Sequence, residues 1–313
     1  MSDQHEPVLL KEVIRGLCLQ KGDFVIDGTV GGGGHALGML KKIGKQGRLL
    51  GIDLDGEALK IAQKRLAAYA SRVSLYHGSY CDMKQIALSL DFPLPVQAVL
   101  LDLGVSSMQL DTEERGFSFK SKARLDMRFD QQSKGVSAYD IVNYWPEKKL
   151  VVLFRDYGEE RLSKKIAQKI VWQRKKSPIV TAKELADWIE KWIPRKDWPE
   201  RIHPATRVFL ALRIGVNQEL NQVRLGLRQG LEVLEKGGRF AVISFHSLED
   251  RIVKQYFNRQ SKDCVCDPLL PVCRCEHQPQ IKILTRKPIT PSSEEVAKNR
   301  RARSAKLRIV EKL

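Results

Sequence analysis

The sequence lacks any apolar run of the roughly 18 to 20 residues that would span a bilayer. Its first residues, MSDQHEPVLLKEV, lack both the basic-then-apolar plan of a secretory leader and the Arg/Ser-rich character of a transit segment. No membrane association is expected, and the cytoplasm is the expected compartment. Acidic balance is lacking as well: 37 Asp and Glu face 54 Lys and Arg, a formal charge of +17. No internal repeat is visible, and cysteines are few, six in 313 residues. At 42% hydrophobic, the composition is that of a globular protein with one large domain or two ordinary ones. The basic surplus comes in blocks. RLSKKIAQKIVWQRKK (161 to 176) carries seven basic residues and no acid, and KNRRARSAKLR (298 to 308) is equally free of acids. Such blocks suit a polyanionic partner, because neutralised phosphates release counterions.

Short apolar runs alternate with helical patterns over the first hundred residues. DFVIDGT (23 to 29), RLLGIDLD (48 to 55), VSLYHGS (73 to 79) and VQAVLLDLG (96 to 104) predict buried strands. EALKIAQKRLAAYA (57 to 70) places Leu59, Ala62, Leu66 and Tyr69 at helical spacing. This alternation predicts an α/β fold with a parallel sheet between helical layers. From about Asp111 to Pro204 it stops: Leu162, Ile166 and Ile170 recur one turn apart, and Thr181 to Glu184 reads as a capping box opening a helix that carries Leu185, Trp188, Ile189 and Trp192. A helical insertion is expected there, then a long amphipathic helix over about 205 to 235 and a strand RFAVISFHS (239 to 247). IKILTRKPI (281 to 289) and AKLRIVEKL (305 to 313) predict a final strand pair.

DGTVGGGGH (27 to 35) packs five glycines into nine positions at the first strand-to-helix junction. Glycine there lets the backbone approach a ligand and leaves N–H groups to bind it, although a tight turn without a ligand reads the same way. Asp53, at the end of the second strand, is placed to accept hydrogen bonds from ribose hydroxyls. Asp27 before the loop would repel a pyrophosphate and suit a cationic amino-acid moiety, which favours S-adenosylmethionine over a dinucleotide and argues against an oxidoreductase. Asp102 ends the fourth strand at the same sheet edge; capping the next helix is its structural alternative.

HEPVLL (5 to 10), IDGTVGGGGH (26 to 35), LLDLGVSSMQLD (100 to 111), ERGFSF (114 to 119), LDMR (125 to 128), YGEER (157 to 161), HPATR (203 to 207), ISFHSLEDRIVK (243 to 254) and RARSAKLR (301 to 308) together resemble the bacterial small-subunit ribosomal RNA (cytidine-N4)-methyltransferase family, MraW or RsmH, over essentially the whole chain. The resemblance implies a class I S-adenosylmethionine-dependent methyltransferase. Its sheet would be Rossmann-like and mostly parallel with a terminal antiparallel pair, formed by residues 1–110 and 205–313. Residues 111–204 would be an inserted helical subdomain for RNA recognition. The implied reaction is methylation at N4 of one cytidine in the P-site region of 16S ribosomal RNA, on the small subunit, with no DNA partner. The implied cofactor contacts fall on Gly33, Gly34, His35, Asp53, Tyr80, Asp102 and Gln109.

N4 methylation needs an acceptor aimed at the amino hydrogens, and Asp102 is the candidate, with Ser106 and Ser107 shaping the pocket. C5 methylation would need a cysteine nucleophile beside the cofactor, and none follows the fourth strand. The Asp-Pro-Pro-Tyr signature of many amino-methyltransferases is also missing. Phe117, Phe119 or Phe245 could stack on the target base, or serve the core. His203, Arg207, His246 and Arg251 are candidates for the pocket mouth; for the last two the rival is a helix start with Ser247 as N-cap and Asp250 three residues on. Cys18 and Cys81 are expected to be buried thiols. Cys264, Cys266, Cys273 and Cys275 form C-x-C-x6-C-x-C before His277. A structural zinc, free thiols and redox pairing all remain open for them.

Overall fold

Five parallel strands and an antiparallel pair make one seven-stranded sheet in a computed structural model that describes residues 7–105, 112–131, 134–198, 203–267, 272 and 274–313. In chain order the first elements are α1 (Leu10–Leu17), β1 (Phe24–Asp27), α2 (Gly34–Ile43), β2 (Arg48–Asp53), α3 (Gly56–Arg65), β3 (Val73–His77), α4 (Met83–Ser89) and β4 (Val96–Asp102). Then come α5 (Ala138–Tyr144), α6 (Glu147–Asp156), α7 (Ser163–Arg174), α8 (Ala182–Trp192) and α9 (Thr206–Asn217). The remainder is α10 (Glu219–Val233), β5 (Leu234–Ser244), α11 (Ser247–Gln260), β6 (Ile281–Ile283), α12 (Ser293–Lys298) and β7 (Lys306–Lys312). The chain forms two compact units, Met1–Gly104 with Leu220–Leu313, and Val105–Glu219.

The first unit carries the sheet, ordered β3-β2-β1-β4-β5-β7-β6. Strands β1 to β5 run parallel and β7 lies antiparallel to both β5 and β6. Central strands are apolar on both faces: Ile26, Leu50, Val99 and Leu101 are fully buried in one layer, and Val25, Leu49, Ala98 and Leu100 in the other. A sheet covered on both sides needs such runs, and each large aliphatic side chain so buried contributes about 1.5–3 kcal/mol. The strand order reverses between β1 and β4, which is where open α/β sheets bind ligands. Registers Asp27↔Gly51 and Asp27↔Leu100 set Asp53 and Asp102 two residues beyond Asp27 on the flanking strands. Three carboxylates therefore end three adjacent strands at one edge.

The second unit has its own core of Leu125, Ile141, Leu150, Phe154, Ile166, Ile170, Leu185, Ile189 and Leu212. The Thr181 capping box is present at α8, with Thr181 Oγ1 accepting from Glu184 N and Glu184 Oε2 from Thr181 N.

Four expectations change. VSLYH is an edge strand, half-buried to exposed, because β3 is the outermost strand of the sheet. The long helix over 205 to 235 is two, α9 and α10, because Gln218 takes a left-handed conformation (φ 50°) and ends the first. Val208, Phe209, Ala211 and Leu212 of α9 pack into the helical core, which places the unit boundary after Glu219 instead of at 204. Cys18 is exposed: it caps α1 at φ 53° while Leu17 takes the buried position.

Candidate active site

The glycine loop is sewn between two strand ends. Gly28 N donates to Leu100 O (2.9 Å), Val30 N to Ile52 O (3.0 Å), and Asp102 N to Thr29 Oγ1 (2.6 Å). Gly33 caps α2 at φ 79°, a conformation in which a side chain is strained, and its N–H is committed to Val30 O (2.8 Å). Gly33 thus supplies the turn, and Gly34 opens the helix. Gly33 at the N-cap has no side chain to cap that first turn, so its N–H groups are placed to receive an anion.

Asp53 is held by two backbone donors, Gly31 N to Oδ2 (2.7 Å) and Asp55 N to Oδ1 (2.8 Å). Burial nevertheless raises its pKa to about 6, the two backbone hydrogen bonds opposing the shift. Asp27 is 1% exposed; Thr29 N donates to its Oδ1 (3.2 Å), while Oδ2 is buried without a hydrogen-bond partner. Burial pushes Asp27 up to about 7. Asp102 Oδ1 is likewise buried and unpartnered, although 24% of the side-chain surface remains open. Its pKa is raised well above the ordinary carboxylate range, first by burial and then by the charges of Asp27 and Glu249.

His35 connects this edge to the N-terminal segment. Its Nε2 lies 2.9 Å from Val8 O and its Nδ1 lies 3.6 Å from Asp102 Oδ2. A carbonyl only accepts, so Nε2 carries the hydrogen and Nδ1 presents a lone pair to Asp102. Burial lowers the ring's pKa to about 4 and keeps it neutral. The proton favoured by the raised pKa of Asp102 therefore has an acceptor on its Oδ2 side.

Tyr80 is half-buried beside the loop, its Cβ close to Gly28, and its ring lies against Gly226 of α10, where an added Cβ would come within 2.4 Å of the ring. Nothing in the sequence pattern singles out Gly226. Glu249 was also missed as part of this charge cluster: its carboxylate accepts from Phe245 N (2.9 Å) and His246 N (3.3 Å) in the capping box of α11. That box makes His246, not Ser247, the N-cap, and Asp250 instead pairs with Arg308 (2.7 Å) and Lys306 (3.2 Å). Of the candidate stacking rings, Phe245 follows β5 and approaches Gly104, whereas Phe117 stacks on Phe129 and Phe119 on His203 within the helical unit. Cys81 is half-buried, its Sγ 2.7 Å from Gln222 Oε1. Ser106, Ser107, Gln109 and Cys273 lie outside the described residues.

The donor set fits a cationic ligand with a nucleoside. Two buried carboxylate oxygens lack a partner, no Lys or Arg forms an ion pair with Asp27 or Asp102 among the described residues, and an aromatic ring and a ribose-type carboxylate stand alongside. Such unpaired buried acids are costly in the folded chain unless a positive ligand completes them.

This sheet, with its reversal point, its antiparallel terminal pair and its acidic carboxyl edge, defines a class I S-adenosylmethionine-dependent methyltransferase. Within that class the chain belongs to the MraW methylase family, whose profile matches residues 2–313. It is 50% identical over 310 residues to "Ribosomal RNA small subunit methyltransferase H" of Syntrophotalea carbinolica, covering 99% of this chain and 98% of that one. The protein of the same name from Brevibacillus brevis is 47% identical over 313 residues, covering 100% and 99%. A solved putative rRNA methylase from Clostridium thermocellum aligns with a TM-score of 0.44 at 14% identity, covering 97% of this chain and 95% of that chain.

Proposed function

We propose that this enzyme methylates N4 of a cytidine in the P-site region of 16S ribosomal RNA, acting on the small subunit. The observation that carries the site assignment is the pair of unpartnered, buried carboxylate oxygens on Asp27 and Asp102 at the strand-order reversal. The names of relatives near 50% identity support the substrate.

The methyl donor, when bound, supplies an electrophilic methyl group on a sulfonium. The first-turn N–H groups of α2, beginning at Gly34 and shaped by Gly33, would hold its carboxylate; Asp53 would hold the ribose hydroxyls and Tyr80 would pack on the adenine. Asp27 balances the positive charge. The N4 lone pair of cytosine is delocalised into the ring and must be localised to react. Asp102 Oδ1 accepts a hydrogen bond from the N4 amino group, which draws that lone pair back to nitrogen and orients it. With the sulfonium charge bound beside it Asp102 would be ionised, and it would take the one proton that N4 releases on methylation, its Oδ2 facing His35 Nδ1.

The helical unit, as the RNA-recognition subdomain, carries a face suited to holding RNA. Lys164, Lys165, Lys169, Lys175 and Lys176 of the 161 to 176 block are exposed, opposite the buried Ile166, Ala167 and Ile170. Trp172 is 50% exposed among them, with Lys176 Nζ 3.6 Å from its ring centre. Phosphate neutralisation together with an aromatic plane is what unpaired RNA requires.

The test is transfer from isotopically labelled S-adenosylmethionine to small subunits and, separately, to naked 16S RNA, followed by nucleoside mass spectrometry. Label in N4-methylcytidine, with subunits preferred, is expected. Label in another nucleoside, or none with donor binding intact, would overturn the reading.

A further inference from the structure

Between Gln260 at the end of α11 and Gln280 before β6, the chain makes a long excursion whose ends are clamped by Gln280 N donating to Gln260 O (2.8 Å). His277 Nε2, 3.1 Å from Arg259 O, ties the return limb to the same helix end. Among its described residues not one is buried, and Val272 is 66% exposed. A segment whose described residues form neither secondary structure nor an apolar core needs some other source of order, and in small coreless segments that source is a disulfide or a metal.

The thiols supply it. Cys264, Cys266 and Cys275 bring their sulfurs within 4.8 Å of one another. Cys264 and Cys275 Sγ are 3.8 Å apart, far beyond the roughly 2.05 Å of a disulfide. A tetrahedron of sulfurs about 2.3 Å from a zinc ion has edges of about 3.8 Å. Each of the three sulfurs also faces a backbone N–H at 3.4 Å: Val265 N toward Cys275, Cys266 N toward Cys264, and Arg274 N toward Cys266. Three backbone N–H groups converging on three sulfurs is an arrangement that offsets the charge of metal-bound thiolates. Soft sulfur donors select zinc over the hard cations.

We propose that Cys264, Cys266 and Cys275 bind a structural zinc ion that closes this loop. The site stands on the three described thiols; Cys273, two residues before Cys275, lies outside the described residues. Binding three thiols releases their three protons to solvent and involves no oxidation.

The experiment uses the full chain, produced without a polyhistidine tag in zinc-containing medium. Elemental analysis of the purified protein is expected to find about one zinc per chain, falling to background in Cys264→Ser and in Cys275→Ser while both variants still bind S-adenosylmethionine. Cobalt in place of zinc should give a sulfur-to-metal charge-transfer band and the intense visible absorption of a tetrahedral thiolate site. Zinc at background in the parent protein overturns the proposal, whether the thiols then react freely with a thiol reagent or are found in a disulfide by peptide mapping. Full zinc retained in both serine variants overturns it equally.

Discussion

Asp27 shows how a site acid can weaken the fold that holds it. Burial raises its pKa from 3.8 to about 7, so the folded apoprotein keeps a proton that the unfolded chain gives up near pH 4. Between those values the folded state binds more protons than the unfolded one. The group's stabilising share is therefore complete below about pH 4 and lost as pH rises through about 7. Asp27→Asn, which retains an oxygen for Thr29 N, should remove this dependence: from about pH 5 to about pH 8 the melting temperature of the variant falls less than that of the parent. A cation prefers the ionised acid, so parent affinity for S-adenosylmethionine should climb by up to about tenfold per pH unit below 7 and then level off. A parent and variant with the same calorimetric pH profile would remove Asp27 from the donor site. Asp102 is distinguished by what it does to rate. Asp102→Ala should lower single-turnover methyl transfer by about 10²–10⁴-fold while RNA binding is retained; a loss below tenfold would mean that another group accepts the N4 proton.

The glycine loop, the strand-end acids Asp53 and Asp102, and the α8 capping box were legible at the scale of the element because each is a local pattern of residue type and spacing. The His35–Asp102 contact, the charge of Glu249 and the support behind Tyr80 were not, because they form across the sheet from segments far apart in the chain. Gly226 makes the point testable. It lies on α10 in the stretch LGLRQG, where a second glycine, Gly230, sits one turn on. An added Cβ at 226 meets the Tyr80 ring at 2.4 Å, whereas one at 230 meets the Phe240 ring at 2.5 Å. Both alanine substitutions overpack the same helix and should cost about 1–3 kcal/mol each in chemical denaturation. Only Gly226→Ala should weaken S-adenosylmethionine binding, by about tenfold, since only it moves the adenine platform. Equal Kd values in the two variants would sink the role given to Tyr80. The split of the expected long helix was illegible for a different reason: Gln218 is an ordinary helix former, yet it takes a left-handed turn, with Arg213 and Glu219 joined across it by two hydrogen bonds of 2.8 and 2.7 Å.

For the whole molecule, the charge of +17 divides into cations that build the fold and cations that face outward. Arg308 is buried against Asp250, Arg213 is paired with Glu219, Arg174 donates to Val142 O, and Arg115 donates to Phe129 O. None of these can be neutralised by phosphate without dismantling something inside. The lysines of α7 belong to the other group, since the helix turns Ile166, Ala167 and Ile170 inward and Lys164, Lys165 and Lys169 outward. Both basic blocks look alike as sequence, yet the second loses Arg308 to the interior while Arg300, Arg301 and Arg303 remain exposed. If the α7 face grips RNA backbone, replacing Lys164, Lys165 and Lys169 together by alanine should reduce the slope of log affinity against log salt by about 0.7–0.9 for each phosphate that is no longer neutralised. It should also raise KM for small subunits while leaving kcat and donor affinity unchanged, because the grip is equally strong in the bound and transition states. An unaltered salt slope would move the RNA grip to the 300 to 303 segment, where the same substitutions on the exposed arginines would then have to produce it.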